Sequence, residues 1–226
     1  MFFRQFFDRT SCTFTYIIAN NNTAAIIDPV LEHIDLYLQF INEWGLTLKY
    51  SIDTHTHADH ITGSGRLREA SGCQIVVSEA SKARCADLKL ADQQTLNIDK
   101  LEIKALSTPG HTDDSMCLLC EDRVFTGDTL LIRGSGRTDF QSGNASEQYK
   151  NIQNKLFTLS DDTLVYPAHD YKSLTVSTIG EEKQFNPRLH NHNEEEYIDI
   201  MNNLNLAMPE KIEEAVPANL KCGLTE

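Results

Sequence analysis

The chain has 226 residues, of which 40% are apolar and 23% are charged, and its formal charge is -13 at pH 7. This ordinary globular composition excludes a disordered or low-complexity chain, and the length predicts a single domain over residues 1–226. Because the acidic charge repels polyanions and anionic lipids, we expect no nucleic acid and no membrane surface as a partner.

Runs of β-branched and aromatic residues, each bounded by turn residues, predict strands along the chain. They lie at 13–19, 24–28, 50–54, 74–79, 101–108, 115–121, 123–128 and 163–168. Apolar residues recur at helical spacing over 32–44 and 146–159, and Asn193 with Glu196 forms the capping-box start of a third helix. Strand pairs with intervening helices predict a layered α/β protein that contains both hairpins and crossovers.

The start of the chain, MFFRQFFDRT, interrupts its phenylalanines with charged residues, and no apolar segment reaches the length of a membrane span. We therefore expect a cytoplasmic location without a signal, transit or transmembrane segment. We also expect the phenylalanines to pack on the core, with a homodimer contact as the alternative: Phe2, Phe3, Phe6 and Phe7.

The six cysteines are scattered without the density of a disulfide scaffold, which predicts reduced thiols in a reducing compartment. Cys117 and Cys120 form a C-x-x-C inside a predicted strand. Residues three apart in a strand point to opposite faces, so this pair is predicted to be buried and apolar in character and not a metal chelate.

The segment THTHADHITG, residues 54–63, contains three histidines and one aspartate directly after a predicted strand. His55 and His57 project to the same side if the chain stays extended between them, and Asp59 and His60 follow. Buried imidazole and carboxylate groups are costly without partners, and metal coordination is the usual compensation. The segment therefore predicts a metal site.

Three further donors follow later strands: His111 in TPGHT, Asp128 in FTGDT and His169 in YPAHD. Singly, each fits an ordinary loop or turn residue. Together with the first segment they form an ordered set of seven potential ligands, which strengthens the prediction of a metal centre. Three other histidines lack such a setting and are assigned to the surface: His33, His190 and His192.

The order THTHADH, TPGHT, TGD and PAHD resembles the metallo-β-lactamase superfamily. That resemblance implies an αββα sandwich of two mixed β-sheets flanked by helices, with the metal held by loops at one edge. Within the superfamily, the chain from about residue 11 onward is most similar to the persulfide dioxygenases. The similar segments are SCTFTYIIA, IIDPV, THTHADHITGSG, TGDTLLIRGSGRTDFQSG, YPAHDYKSLTVST, NPRL and AVPANLKCG.

By this resemblance, one Fe(II) per chain is bound by His55, His111 and Asp128, a triad that leaves coordination positions open for a substrate sulfur and dioxygen. The remaining donors would orient these ligands and shape the pocket: His57, Asp59, His60 and His169. The implied reaction oxidises glutathione persulfide with dioxygen and water to sulfite and glutathione. Because no rhodanese domain fits in a chain of this length, a separate sulfurtransferase would supply the persulfide.

An anionic substrate needs a cationic anchor in an acidic chain. Arg137 in GSGRTDF and Arg188 in NPRL are candidates, because a guanidinium holds a carboxylate through two parallel hydrogen bonds. Tyr171 could reach the pocket with its hydroxyl, and Arg133 is a weaker candidate. The alternatives are structural or exposed ion pairs for the arginines and simple packing for the tyrosine.

The main alternative is a glutathione thioester hydrolase of the glyoxalase II type, which uses two metals on the same fold. Nothing in the ligand set excludes it: His55, His57 and His111 for one ion, Asp59, His60 and His169 for the other, and Asp128 as a bridge. The T-H-T-H centre and the GSGRTDF and PANLKCG segments favour the dioxygenase.

A β-lactam hydrolase is disfavoured by the same segments. The alternative outside catalysis is a metal-binding or persulfide-sensing protein, although no ligand is missing. Imidazole and carboxylate ligands also suit zinc and manganese, so the sequence does not identify the metal. Asp113 and Asp114 add negative charge beside His111, where relatives commonly carry a small residue.

Overall fold

The structure, a computed structural model, describes residues 1–208 and 211–224. Within these residues twelve strands form two six-stranded sheets, and each sheet mixes parallel and antiparallel neighbours. Helices follow several of the strands, as strand and helix patterns in the sequence predicted. The α/β class with mixed sheets is confirmed.

The first sheet keeps its strands in chain order. They are β1 (Phe2–Asp8), β2 (Thr13–Asn20), β3 (Thr23–Ile27), β4 (Thr47–Ile52), β5 (Gln74–Ser78) and β6 (Leu88–Leu90). Strands β1 to β3 form an antiparallel meander, whereas β3 to β6 are parallel neighbours. The carboxyl ends of β3 and β4 therefore meet at one edge.

The second sheet comprises β7 (Thr95–Ile98), β8 (Leu101–Ser107), β9 (Met116–Cys120), β10 (Arg123–Gly127), β11 (Leu164–Pro167) and β12 (Ser177–Thr178). Its spatial order is β12, β11, β10, β9, β8, β7. Strand β9 is antiparallel to both β8 and β10, and β11 is parallel to β10. Strands β8, β10 and β11 thus run in the same direction and end at the same edge.

The helices are α1 (Ile34–Glu43), α2 (Ser64–Ser71), α3 (Ala145–Asn151), α4 (Ile179–Phe185), α5 (Glu194–Asn202) and α6 (Ile212–Asn219). A 3-10 turn precedes α1, and α3 continues into a π-helical turn over Ile152–Leu156. The predicted capping box is confirmed, because Asn193 and Glu196 exchange hydrogen bonds at the start of α5. No described helix is long and apolar enough to cross a membrane.

The chain divides into two compact units. The first comprises Met1–Leu90, Thr95–Ile103 and Met208–Glu226, and the second comprises Ala91–Gln94 and Lys104–Ala207. Each unit buries an apolar core of its own, the first around Ile17, Ile26 and Tyr37 and the second around Val124, Ile152 and Val165. The single domain over residues 1–226 stays a prediction.

The phenylalanine-rich start forms β1 at the edge of the first sheet. Phe2 and Phe6 pack against the core of the first unit, where Phe6 lies edge-on to Tyr37. The predicted core packing is confirmed for these two residues, whereas the side chain of Phe7 is 44% exposed.

Cys117 and Cys120 are buried and unbridged, in agreement with the prediction of small apolar residues. Cys85 and Cys222 differ from the expectation of reduced thiols, because they form a disulfide. The two residues are 137 positions apart in the sequence and 6.0 Å apart between Cα atoms. Only the fold brings them together, so no local pattern could have revealed the pair.

Candidate metal centre

In the first unit, donors collect where β3 and β4 end. Asp28 follows β3, and Asp53 and the segment from His55 to His60 follow β4. The two strand ends are joined by hydrogen bonds, from the backbone N–H of Asp28 to the carbonyl of Ile52 at 2.8 Å and from the N–H of Thr54 to Asp28 Oδ1 at 2.7 Å. The parallel register thus brings Asp28 next to the histidine segment.

His57 is buried and donates from Nε2 to Asp28 Oδ1 at 3.1 Å. Burial opposes a charge on this imidazole, but the carboxylates of Asp28, Asp59 and Asp53 outweigh that effect and raise the pKa of His57 to about 9. Burial also raises the pKa of Asp53 to about 6, although Thr62 donates a hydrogen bond to its carboxylate. The support of this segment is therefore electrostatic.

The orientation of His55 follows from its neighbour. The hydroxyl of Thr54 donates to Asp28 Oδ2 at 2.9 Å, so its oxygen accepts from Nδ1–H of His55 at 3.0 Å. This tautomer places the lone pair on Nε2, the atom that a metal would take.

Asp59 and His60 lie on the other side of His57. His60 Nδ1 is 3.0 Å from Asp59 Oδ2, which also accepts from the hydroxyl of Thr13 at 3.1 Å. The ring centroid of His57 lies 4.0 Å from that of His55 and 4.4 Å from that of His60. His57, Asp59 and His60 each offer a ligand atom within 4.8 Å of the others.

Asn219 of α6 holds the backbone of this segment. Its Nδ2 donates to the carbonyl oxygens of His57 and His60, both at 2.9 Å, and its Oδ1 accepts from the N–H of Thr62 at 2.8 Å. This role was not predicted from the sequence. The only sequence signal was the place of Asn219 in the PANLKCG segment, and its burial in α6 beside Ala215 and Ala218 is seen only in the structure.

In the second unit, donors again collect at strand ends. His111, Asp128 and His169 follow β8, β10 and β11, the three strands that end at the same edge. His169 Nδ1 lies 2.6 Å from Asp128 Oδ1, and His111 Nε2 lies 3.4 Å from Asp128 Oδ2. The structure therefore brings these three predicted site residues together.

The backbone carbonyl of Arg137 orients His111. Nδ1 of His111 donates to this oxygen at 2.6 Å, which again places the imidazole lone pair on Nε2. Gly136 makes the close approach possible. A Cβ at Gly136 would press on the carbonyl oxygen of Asp128 and lie 2.8 Å from Nδ1 of His111.

The predicted substrate anchors differ in their surroundings. Arg137 donates from Nε and Nη2 to Asp139, both at 2.7 Å, and its Nη1 bonds the carbonyl of Ala207 at 2.6 Å. The guanidinium of Arg137 also lowers the pKa of Asp139. Arg133 forms ion pairs with Glu181 and Glu182, which agrees with the alternative of a structural ion pair.

Arg188 donates to the carbonyl and hydroxyl oxygens of Ser135, and burial lowers the pKa of its guanidinium. Among the described residues no carboxylate pairs with Arg188. Tyr171 has its ring parallel to that of His169, with centroids 6.1 Å apart, and is 69% exposed. The roles of Arg137, Arg188 and Tyr171 stay predictions.

The remaining polar residues are placed as follows. His190 is exposed, as predicted, whereas His33 and His192 are only half-exposed and His33 lies 2.9 Å from Asp8. Asp114 is buried and accepts a hydrogen bond from the hydroxyl of Thr112 at 2.7 Å, so its charge does not simply face water.

Comparisons with known proteins identify the family of this chain. The family model of the metallo-β-lactamase superfamily matches residues 12–169. Over 98% of this chain and 88% of the relative, the sequence is 48% identical to the mitochondrial persulfide dioxygenase ETHE1 of Homo sapiens. The chain belongs to the persulfide dioxygenase family of this superfamily.

A solved relative, ETHE1 from Myxococcus xanthus, is 52% identical and superposes with a TM-score of 0.97 over 99% of this chain and 100% of that chain. A probable hydroxyacylglutathione hydrolase of Schizosaccharomyces pombe is 30% identical over 79% of this chain and 82% of its own length. The metallo-β-lactamase fold, with two mixed sheets flanked by helices, is thereby confirmed. For a persulfide dioxygenase on this fold, the imidazole and carboxylate donors described above indicate a metal cofactor.

Proposed function

We propose that this persulfide dioxygenase oxidises glutathione persulfide with dioxygen and water to sulfite and glutathione, using one Fe(II) per chain. The observation that carries the proposal is the 48% identity to a persulfide dioxygenase over 98% of the chain. Persulfide and dioxygen are the substrates of the family. Glutathione as the carrier and iron as the metal are the proposed refinements.

We assign the metal ligands to His55, His111 and Asp128. Each offers one ligand atom, and together they supply two imidazole nitrogens and one carboxylate oxygen. In both histidines the Nδ1 proton is directed to an oxygen, of Thr54 or of the Arg137 backbone, which leaves Nε2 for the metal. Two histidines and one carboxylate are typical of Fe(II) sites with open positions, so the donors fit the ion.

When bound, Fe(II) brings the persulfide sulfur and dioxygen together and exchanges electrons with them. The conversion of glutathione persulfide to glutathione and sulfite releases four electrons in total, which is the number that one dioxygen molecule accepts. The chain's own residues supply orientation: His169 bonds Asp128 Oδ1 at 2.6 Å and leaves Oδ2 as the ligand atom. His57, Asp59 and His60 would shape the polar surroundings.

Substrate capture is assigned to Arg188, with Arg137 and Tyr171 as further candidates. Arg188 is a partly buried cation that donates to a carbonyl, a hydroxyl and a thioether, so its charge is available to a glutathione carboxylate. Arg137 would have to exchange Asp139 for the substrate. Tyr171 is exposed enough to meet a substrate.

The second candidate function is a two-metal glutathione thioester hydrolase. It is favoured by the complete set of seven donors and by the 30% identity to a probable hydroxyacylglutathione hydrolase. In that case Asp59, His60 and His169 would hold a second ion beside one held by His55, His57 and His111, with Asp128 as the bridge, and the bound water would attack a carbonyl.

Three further expectations accompany the proposal. A separate sulfurtransferase would supply the persulfide. A homodimer would use the edge strand β1, where Phe7 is 44% exposed. The cytoplasmic location stays a prediction, and the human relative is named as mitochondrial.

The test is dioxygen uptake by iron-loaded protein given fresh glutathione persulfide, with sulfite and metal content measured on the same sample. We expect uptake matched by sulfite and about one iron per chain, as a facial triad requires. Two metals per chain with hydrolysis of a glutathione thioester and no uptake would instead establish the hydrolase.

A further inference from the structure

Gln148 is a polar side chain in the interior of the second unit. It lies on α3 and is 0% exposed. Its Nε2 faces three backbone carbonyl oxygens, of Asp128 at 3.4 Å, Thr129 at 3.3 Å and Gly136 at 3.2 Å. Because carbonyl oxygens only accept hydrogen bonds, these contacts determine which end of the amide is the nitrogen.

A chain of hydroxyl groups continues from the other end of the amide. Gln148 Oε1 can only accept, so the hydroxyl of Tyr197 donates to it at 2.8 Å. Tyr197 then accepts from Ser135 Oγ at 2.8 Å, and Ser135 Oγ accepts from Arg188 Nη1 at 3.3 Å. A guanidinium can only donate, so every hydrogen bond in this series runs from donor to acceptor in the same direction, from Arg188 to the backbone of Asp128.

The same glutamine also contacts the segment that carries His111. Gly110 packs directly on α3, and a Cβ at Gly110 would lie 2.5 Å from the backbone N and from Cα of Gln148. The N–H of Asn144, which caps α3, donates to the carbonyl of Gly110 at 2.7 Å. Gln148 therefore supports both Gly110, the residue before His111, and the backbone carbonyl of Asp128.

We propose that Gln148 is a positioning residue for the metal ligands His111 and Asp128, and that Tyr197 and Ser135 link it to the Arg188 guanidinium. The proposal rests on the proposed ligand role of His111 and Asp128. Gln148 contacts neither ligand side chain. It acts through the backbone of Asp128, Thr129 and Gly136, and Gly136 is the residue against which the imidazole of His111 and the carbonyl of Asp128 both pack.

The test compares Gln148→Met with the matched control Tyr149→Phe. Methionine keeps the length of the side chain and removes the amide. The neighbouring Tyr149 donates its hydroxyl to the carbonyl of His192 at 3.0 Å, which is not one of the hydrogen bonds that run from Arg188 to Gln148. The ring of Tyr149 lies 5.4 Å from that of Tyr197. Both variants thus remove a polar group from α3, but only one removes a support of the ligands.

The readout is the Co(II) dissociation constant of the apo protein, measured by competition with a chelator, beside the apo unfolding midpoint. Loss of an outer support commonly weakens metal binding about 10- to 100-fold, and we expect this for Gln148→Met, with Tyr149→Phe within about twofold of the wild type. A purely structural glutamine would lower the unfolding midpoint and leave the Co(II) affinity of the folded protein unchanged. That result would overturn the proposal.

If Gln148→Met does not fold, Tyr197→Phe replaces it, because this change removes only the hydroxyl that donates to Gln148. We then expect a dissociation constant raised about tenfold, at the lower end of such effects. An unchanged constant would overturn the proposal. Asp128→Ala is measured in parallel: wild-type Co(II) affinity in that variant would overturn the ligand assignment, whereas its loss beside an unaffected Gln148→Met would overturn only the positioning role.

Discussion

The two groups of metal donors are built differently. In the first unit the donors are nearly contiguous, from His55 to His60, whereas in the second unit His111, Asp128 and His169 come from three strands. Yet the contiguous group is held by residues far away in the sequence, Asp28 and Asn219. Closeness in sequence therefore does not make a group of ligands rigid, and both groups need buried polar support from elsewhere.

The chemistry of that support also differs. The first group is supported by buried carboxylates, and burial raises the pKa of Asp53 to about 6. In the second group the support comes from neutral groups, the carbonyl of Arg137 for His111 and the amide of Gln148 for the Asp128 backbone. The first group should therefore respond to pH more strongly than the second.

The largest expected effect comes from Asp128→Ala, which removes a proposed ligand from the second group. We expect metal content and turnover to fall to background together. Asp59→Ala in the first group removes only an orienting carboxylate, so it should keep the metal and lose about 10- to 100-fold in activity. Metal analysis and dioxygen uptake on both variants check the contrast, which fails if Asp59→Ala loses the metal and Asp128→Ala keeps it.

Asn219→Ala tests the support of the first group. It removes three hydrogen bonds and leaves the carbonyls of His57 and His60 buried without this donor. We expect a loss of about 3 kcal/mol in the free energy of unfolding, since each unsatisfied buried group costs roughly 1–3 kcal/mol. Urea unfolding of the apo protein measures it.

The control for that experiment is Asn203→Ala, which changes an exposed asparagine just after α5. Its stability should stay within about 0.5 kcal/mol of the wild type. Equal losses in the two variants would show that Asn219 gives no special support.

A smaller effect on stability is expected for Asp8, which is linked to Asp59 through the hydroxyl groups of Ser11 and Thr13. Burial alone would raise the pKa of Asp8, but hydrogen bonds from the side chain and backbone of Ser11, and from His33, outweigh it and lower the pKa to about 2. Ser11 then contacts Thr13, which donates to Asp59.

Because the folded pKa of Asp8 is depressed, its stabilisation is present above the unfolded value near 3.8 and is lost as the pH falls towards 2. We expect Asp8→Asn to lower the free energy of unfolding by about 2 kcal/mol at neutral pH. The difference from the wild type should vanish near pH 2. Unfolding curves between these pH values check it, and a difference independent of pH would contradict the assignment.

The smallest effect is expected for Arg188→Ala, which changes the first donor in the series of hydrogen bonds that leads to the second group. Substrate capture should weaken, with KM raised about tenfold and kcat within about twofold, because an anchor distant from the reacting sulfur binds ground and transition states alike. Arg66→Ala, which removes an exposed arginine paired with Glu69, is the control. A reduced kcat with unchanged KM would contradict the role of Arg188 as a substrate anchor.

Much of the fold could be read from the sequence, because strand and helix periodicity is local. The eight predicted strands and three predicted helices are all present, and β4 differs mainly in its bounds, Thr47–Ile52 in place of 50–54. The missed elements lack a clear period. Strand β1 is interrupted by charges, β6 and β12 are three and two residues long, and α6 contains Pro217.

The sequence by itself determined the α/β class, the order of the seven donors and the family, because these depend on residue types at fixed spacing. Only the tertiary structure decided which groups support the donors. Asn219, Gln148 and the carbonyl of Arg137 contact segments between 12 and 162 residues away, and Cys85 meets Cys222 over 137 residues. Such contacts depend on strand order and helix packing, which bring distant residues together and which no local pattern encodes.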